Sequence, residues 1–410
     1  MDGTMKPFRL VLLNEFFYPD FFGGTGKVLS DLCRRLQDEH SFQVTAVTSA
    51  RAYRNNDETL PELDDWKGIA IHRLSAPKSR VADLSQRLKS DLDLTRSAVR
   101  KVKEIPCDGI LVTTSPPLMP LAAWWLNRTK GMPYWYIIYD LEPDRAVVVG
   151  VASPKGWKTR LLAWWQKRWM HDAEKVIVIG RCMRDHVRKV YALPDERIEV
   201  IATGDDDEAI QPLPQGDHFR DGLPSDAFVV LYSGNFGRYH DFTPLLDAAE
   251  DLIEDSRFKF LLVGGGHKKD EVKEAAASRG LKNVEVRGFV EPEEYPLLLA
   301  ASDASVVTLE ENMEGLCVPS KFYSFLASGR PVVALMKPHS EVALVVAEEL
   351  CGKVVSADAR GELTKTLLGL AEDRIELAEM GKRARKTLEE KYSSRRIAER
   401  FAALMNKELS

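Results

Sequence analysis

Apolar positions along this chain follow two alternating rhythms. Short, nearly continuous hydrophobic runs are separated by longer stretches whose apolar residues recur at helical spacing, and that alternation predicts parallel sheets flanked by helices. In the first half the runs predict strands over 8–13, 43–48, 69–74, 109–113, 134–138, 175–179 and 198–201. Helices are predicted over 26–37, 84–103, 117–130, 157–173 and 182–191. The second half repeats the order, with strands over 228–232, 258–263, 284–287, 304–308, 332–334 and 352–355. Its helices are predicted over 242–252, 268–279, 293–301, 320–327 and 360–372, and the mixed-charge tail 374–409 reads as helical. The stretch Thr203–Gly216 is acidic, carries Pro and Gly, and separates the two series, which makes it the predicted linker. The fold class expected is therefore α/β, with two doubly wound parallel-sheet domains. Their expected bounds are 1–204 and 205–388, with a last helical segment over 389–410.

The length of 410 residues suits two domains, and 44% hydrophobic with 29% charged residues suits a water-exposed globular chain. A net charge of −5 does not favour non-specific nucleic-acid binding. The cysteines at 33, 107, 182, 317 and 351 are scattered, odd in number and lack CxxC spacing. That pattern points to buried free thiols in a reducing compartment rather than a zinc site. Met1–Pro7 leads straight into the first apolar run, so no signal peptide is expected. Gly109–Leu126 is uncharged, but its Thr-Thr-Ser-Pro-Pro interruption parses as strand, loop and helix start rather than a membrane span. The run Asp205-Asp-Asp-Glu208 reads as a solvated hinge segment, with a metal site as the alternative.

Chemistry is suggested by glycine-rich turns after strands. Ser233-Gly-Asn-Phe-Gly-Arg238 follows an apolar run, with Gly234 and Gly237 allowing close backbone approach and Arg238 adding a cation before a predicted helix. Pro319-Ser-Lys321 opens another predicted helix with a lysine. Backbone N–H groups and a cation at a helix start form an anion site, and two such sites on one domain suggest a diphosphate, as in a sugar nucleotide. Gly264-Gly-Gly-His267 is a further turn after a strand, and packing alone is the alternative reading. Asp140 ends the run 134–138, at the strand end where α/β sites form. The alternative there is an Asp that caps a turn.

Taken together, these stretches resemble the GT-B glycosyltransferases, specifically the large retaining family 4, over nearly the whole chain. Phe22-Gly-Gly-Thr-Gly26, Ile201-Ala-Thr-Gly-Asp-Asp206, Ser233–Arg238 and Pro319–Ala334 match four of that family's patterns in order. The nearest subgroup is that of bacterial polysaccharide-assembly enzymes that transfer aminosugars to lipid-linked acceptors. The resemblance implies two Rossmann-like domains facing a cleft, an acceptor-binding first domain and a nucleotide-sugar-binding second one. It also implies a last helix that returns to the first domain. Gly23 and Gly24 would contact the transferred sugar or its phosphate. Gly234, Asn235 and Gly237 would hold the donor phosphate, Gly265 would lie beneath the nucleotide, and Phe289 and Val290 would meet the base. Glu314, Gly315, Leu316 and Cys317 would meet the donor sugar or phosphates. Arg238 and Lys321 would neutralise the leaving diphosphate, so no metal or cofactor is required. Asp140 would orient or deprotonate the acceptor hydroxyl, with Glu142 and Asp144 in support.

The chain departs from the family in two places. A glutamate often found on the donor-binding helix is replaced by Ser324, which can still hydrogen-bond a ribose hydroxyl. The lysine usually found after the donor-loop arginine is absent; His240 is its candidate substitute, and a surface histidine is the alternative. Trp157, Trp164 and Arg168 share one side of a predicted helix, flanked by Arg160 and Lys167, beside an apolar arc of Leu161, Leu162, Trp165 and Trp169. Such a helix packs on the sheet, lies in the interface of an anionic membrane, or does both. The expected location is cytoplasmic, including the inner face of the cell membrane. The expected activity is retaining transfer of a hexose-type sugar from a nucleotide-diphosphate sugar, UDP-linked on this reading, to a lipid-linked or other glycan acceptor. A nucleotide-sugar epimerase or hydrolase, or a non-catalytic sugar-nucleotide-binding subunit, remains open.

Overall fold

The computed structural model describes residues 6–20, 25–51, 59–75, 84–216, 218–356 and 361–409, and the side chains of 84–88 and 408–409 are not described. The chain divides into two compact units. The first comprises Met1–Thr203, Gly315–Cys317 and Ser394–Ser410; the second comprises Gly204–Glu314 and Val318–Ser393.

The first unit is built on an eight-stranded sheet, in the order β3-β4-β2-β1-β5-β6-β7-β8. Its strands are β1 Phe8–Leu13, β2 Phe42–Ser49, β3 Leu63–Trp66, β4 Ile69–Leu74, β5 Gly109–Thr113, β6 Tyr134–Ile138, β7 Lys175–Val178 and β8 Ile198–Val200. All neighbours are parallel except β3 and β4. The runs in β5 and β6 are apolar at nearly every position because helices cover both faces of the central strands, and every residue of those two strands is buried. The sequence reading missed β3, whose Asp64-Asp65 centre hides it. A tight turn makes the hairpin: Lys67 and Gly68 both take positive φ, +53° and +80°. Two such residues are what a two-residue loop needs to match the twist of paired strands. The helix Ser394–Leu409 packs on the helix Thr25–Glu39, and Arg400 Nη2 donates to the Val200 carbonyl at 2.5 Å.

The second unit holds a six-stranded, all-parallel sheet in the order β11-β10-β9-β12-β13-β14. Here β9 is Phe228–Asn235, β10 Phe258–Gly265, β11 Val284–Arg287, β12 Ala304–Thr308, β13 Val332–Leu335 and β14 Gly352–Val355. One side of the sheet is closed by a core of Phe228, Val230, Tyr232, Phe258, Phe260 and Leu262 with residues of the helices Thr243–Asp251 and Glu362–Glu372. Strands β9 and β10 run further than their apolar stretches predict, because Gly234 and Gly264 pair within the ladder. A Cβ on Gly264 would lie 1.8 Å from the Gly234 carbonyl oxygen, so this pairing requires glycine.

The stretch read as a linker is not free chain. Arg385 donates to the carbonyls of Asp207, Ile210 and Ala327 at 2.7–2.9 Å, and Gln215 Nε2 reaches the buried Asp303 at 3.1 Å. Both ends of the segment 205–215 are thereby fixed to the second unit. The chain passes between units at Thr203–Gly204, where Gly204 takes φ +65°. Asp206 Oδ1 accepts the N–H groups of Glu208 and Ala209, a local turn role. Among the described residues no group of three or more His, Cys, Asp or Glu side chains is placed to hold a metal ion. Likewise, no described helix is long and apolar enough to cross a membrane. The tail breaks at Ser393: the helix Arg374–Thr387 and the wide turn Leu388–Tyr392 stay with the second unit, so its last helix begins at 394 rather than 389.

Candidate active site

In the second unit the residues expected to hold phosphate converge at the ends of β9 and β10. The helix Lys321–Ala327 starts with Lys321, whose amine lies 3.8 Å from the centre of the Tyr232 ring and donates to the Tyr232 hydroxyl at 2.5 Å. Gly234, at φ +127°, lies directly beneath that side chain; a Cβ there would come within 3.2 Å of Lys321 Cε. Burial holds the lysine well below its usual pKa range. Among the described residues no carboxylate pairs with Lys321 or with the exposed Arg238. When it carries its proton, this amine is a cation enclosed without an anion, an arrangement that costs free energy until an anion arrives.

The geometry changes two expectations here. Arg238 lies in a loop, and the helix predicted over 242–252 begins at Thr243. His240 is neither a surface histidine nor a phosphate-binding cation. It is buried, its Nδ1 accepts the Gly237 N–H at 3.2 Å and meets the Tyr232 hydroxyl at 3.2 Å. Burial, together with Lys321 and Lys268, pushes its pKa well down, so it is a neutral brace for the loop. Ser324 is also engaged inside the unit: its hydroxyl donates to Asp205 Oδ2 rather than facing open space. Lys268, which sequence reading passed over, donates to the His240 carbonyl at 2.8 Å and pairs with Glu310. Its signal was present, as the first residue after Gly264-Gly-Gly-His267.

Gly265 lies against Phe289, where a Cβ would meet the ring at 2.7 Å. Phe289 is 51% exposed, and with Val290, Glu291, His218 and Phe219 it lines an open cavity of about 570 Å³. Neither Lys321 nor the 234–238 turn lines that cavity. Asn235 is exposed, and its Oδ1 lies where a Cβ on Gly266 would clash at 2.2 Å, so the second glycine turn makes room for it. Glu314 is the last residue of the second unit before the chain crosses.

In the first unit, Asp140 lies just past the end of β6. Its backbone N–H and that of Tyr139 both approach Thr114 Oγ1 at 3.4 Å. Its carboxylate pairs with Arg145 at 3.0 Å while 41% of the side chain stays exposed. The surrounding protein mass raises its pKa, Arg145 opposing and Glu142 adding to the rise. Glu142 is held by Arg145 at 2.7 Å and by the Ala146 N–H at 3.2 Å. Asp144 begins the short helix Asp144–Val148, and its carboxylate binds His186 at 3.1 Å and the Tyr191 hydroxyl. Burial works against its charge, but those hydrogen bonds win and its pKa is lowered. Gly315, Leu316 and Cys317 belong to this unit: the Leu141 N–H donates to the Leu316 carbonyl at 2.9 Å. Gly315, at φ +76°, fits where a Cβ would lie 2.8 Å from the Cys182 carbonyl oxygen. The buried Cys317 thiol is pushed up by burial and by Asp140, and so stays protonated. Gly23 and Gly24 lie outside the described residues. Gly26 is described: a Cβ there would lie 2.1 Å from the Asp20 carbonyl oxygen.

Two sheet units, the second with glycine turns and Lys321 at the ends of β9 and β10 and the first with a charged cluster past β6, have the GT-B architecture, and comparison with known proteins makes the chain a glycosyltransferase. Residues 23–204 match the family model described as "Glycosyl transferase 4-like domain", and residues 215–387 match "Glycosyl transferases group 1". The chain belongs to the family 4 glycosyltransferases of the GT-B fold. The probable glycosyltransferase WbjE of Pseudomonas aeruginosa is 27% identical over 74% of this chain and 75% of its own length. The putative colanic acid biosynthesis glycosyl transferase WcaI of Escherichia coli is 26% identical over 53% of this chain and 54% of its own length. The crystal structure of Anabaena HepE in complex with UDP-glucose shares the fold, with a TM-score of 0.70 at 16% identity, covering 97% of this chain and 99% of that one.

Proposed function

We propose that the chain transfers a sugar from a nucleoside-diphosphate sugar, with UDP as the nucleotide, to a lipid-linked or other glycan acceptor in surface polysaccharide assembly, with retention at the anomeric carbon. The observation that carries the donor side is the enclosed, anion-free amine of Lys321 over Tyr232. A diphosphate supplies the charge that site lacks, and charge building on the leaving group strengthens the contact. Lys321 and Arg238 take the neutralising role on this reading, so no metal is needed. The UDP complex of HepE and the colanic acid assignment of WcaI favour a UDP-sugar donor and polysaccharide assembly. On the acceptor side, Asp140 orients or deprotonates the incoming hydroxyl; its raised pKa and open side chain suit that task.

The helix Trp157–Asp172 supports a working place at the inner face of the cell membrane. Trp157 and Trp164 are 70% and 58% exposed, and Leu161 between them is exposed too, while Trp169 turns into the core. Lys155, Lys158, Arg160, Lys167 and Arg168 are exposed around that stripe, so a locally basic, aromatic face stands on a chain of net charge −5. Amphipathic faces of this composition rest on anionic lipid. Replacing Trp157 and Trp164 by Ala is expected to abolish most sedimentation with vesicles containing phosphatidylglycerol; unchanged sedimentation of the folded variant would discard this face.

The reading as a whole is tested by thermal shift against UDP, GDP, ADP, TDP and CMP, each with and without magnesium. A shift of several degrees with UDP, absent in Lys321→Ala, is expected, because a ligand that binds only the folded state raises Tm. No shift with any diphosphate would overturn the donor assignment.

A further inference from the structure

We propose that Arg145 is a positioning residue for Asp140, holding one carboxylate oxygen so that the other is presented to the acceptor hydroxyl. The inference rests on the reading of Asp140 as the acceptor-side group.

The geometry is a braced chain of three charged side chains. Glu142 is fixed first, since its Oε2 accepts the Ala146 N–H at 3.2 Å at the start of the short helix. Its Oε1 accepts from Nε and Nη2 of Arg145, at 2.9 and 2.7 Å. The guanidinium is thereby held along one edge, and Nη1 on its other side meets Asp140 Oδ2 at 3.0 Å. Exposure rises along the chain, from 13% at Glu142 through 25% at Arg145 to 41% at Asp140. The outermost group is therefore the one aimed at solvent, and it is braced from behind. No hydrogen bond to Asp140 Oδ1 is present among the described residues, which leaves that oxygen to accept from an incoming hydroxyl. A planar fork with donors on two edges is what this bracing needs; a lysine ammonium would supply the charge at a single point without the orientation.

Arg145 also decides when Asp140 carries its charge. The charged and titratable groups around Asp140 are Arg145 and Glu142 on its own loop and short helix, and Cys317 from the segment 315–317. Cys317 stays a thiol, Glu142 repels, and Arg145 is the cation that opposes the upward shift of the Asp140 pKa. Its loss must raise the pH at which Asp140 gains a proton.

The first arm of the test needs no substrate. Carbodiimide coupling requires one proton on the carboxyl–reagent pair and slows as the carboxyl ionises, so labelling of Asp140 by carbodiimide and glycinamide across pH, resolved by peptide mass spectrometry, follows its protonation relative to the parent. In Arg145→Gln the labelling midpoint is expected to move up by about one pH unit, the low end of what an adjacent cation does to a carboxylate. Arg145→Lys keeps the charge and is expected to restore most of that shift. Each variant is compared at equal Tm to show that it is folded. A midpoint in folded Arg145→Gln that matches the parent overturns the proposal. Asp140→Asn, assayed in parallel for acceptor-dependent UDP release from a panel of UDP-sugars with lipid-linked glycans added, separates the two readings. Loss of turnover there with no midpoint shift in Arg145→Gln sinks the Arg145 role alone; full turnover there sinks both.

Discussion

The two charged sites of this molecule are built on opposite plans. At Lys321 an amine is enclosed with an aromatic ring and a hydroxyl, and no described carboxylate answers it. At Asp140 the charges answer one another, with one guanidinium between two carboxylates. The first site is incomplete without a guest, and the second carries its counter-charge within itself. A diphosphate brings charge and a sugar hydroxyl brings none, so each plan matches the partner proposed for it. The difference teaches that an electrostatic deficit identifies the ionic ligand, whereas a satisfied ion-pair cluster with one free oxygen identifies a neutral one.

That contrast can be broken in several ways, and the largest expected effect is at the satisfied site. Asp140→Asn is expected to lower kcat about 10³-fold with UDP affinity unchanged, within the span for loss of a general base; a matching loss of UDP affinity would merge the two sites into one. Lys321→Ala is expected to lower kcat about 10²-fold, the scale for one electrostatic donor, and to weaken UDP binding as well. Unchanged kinetics would remove Lys321 from the site.

Lys321→Met sharpens the comparison without any turnover. Burial has lowered the lysine pKa, so between that value and about 10.4 the unfolded chain binds the extra proton. The cost to the ligand-free protein is full below the lowered pKa, shrinks as pH rises, and is gone above about 10.4. The Met variant without ligand is therefore expected to melt about 2–4 °C higher than the parent at neutral pH, with the gap closing toward pH 10. The same calorimetry with UDP should reverse the order, since only the lysine gains from the anion; a parent that melts higher even without UDP would contradict the deficit. The smallest effect is expected from Ser324→Ala. Its hydroxyl already serves Asp205, so UDP affinity should change less than about threefold, under 1 kcal/mol, in a titration. A tenfold loss would return Ser324 to the ligand.

How much of this was readable in the residues depends on the range of the interaction. The parallel strands were legible because burial on both faces leaves runs such as Ile110-Leu-Val112 and Val332-Val-Ala334, with glycine or proline nearby. Strand β3 was not, because half of it is Asp-Asp and its evidence is the positive φ of Lys67, a turn property rather than a run. Lys321 could be singled out from Pro-Ser-Lys at a helix start. Its partner Tyr232 could not, because the two lie 89 positions apart and meet only through the sheet. The partners of His240 and Ser324 were not legible for the same reason. Each residue type allows a ligand contact, and only the fold shows that Gly237 and Asp205 have already taken the polar atom. Arg145 is adjacent to the Asp-x-x-Pro-Asp stretch, yet nothing in local spacing says that a guanidinium will bridge residues 140 and 142.

The first unit draws its final helix from residues 394–409, made only after the whole of the second unit. Until then the first helix, Thr25–Glu39, lacks the helix that packs on it, and Glu39 lacks its partner Arg395. Some 200 residues of synthesis separate the two events, roughly 10–40 s at ordinary elongation rates. The nascent first unit spends that time with this helix face open to chaperones, and any stop codon that removes the last helix makes the exposure permanent.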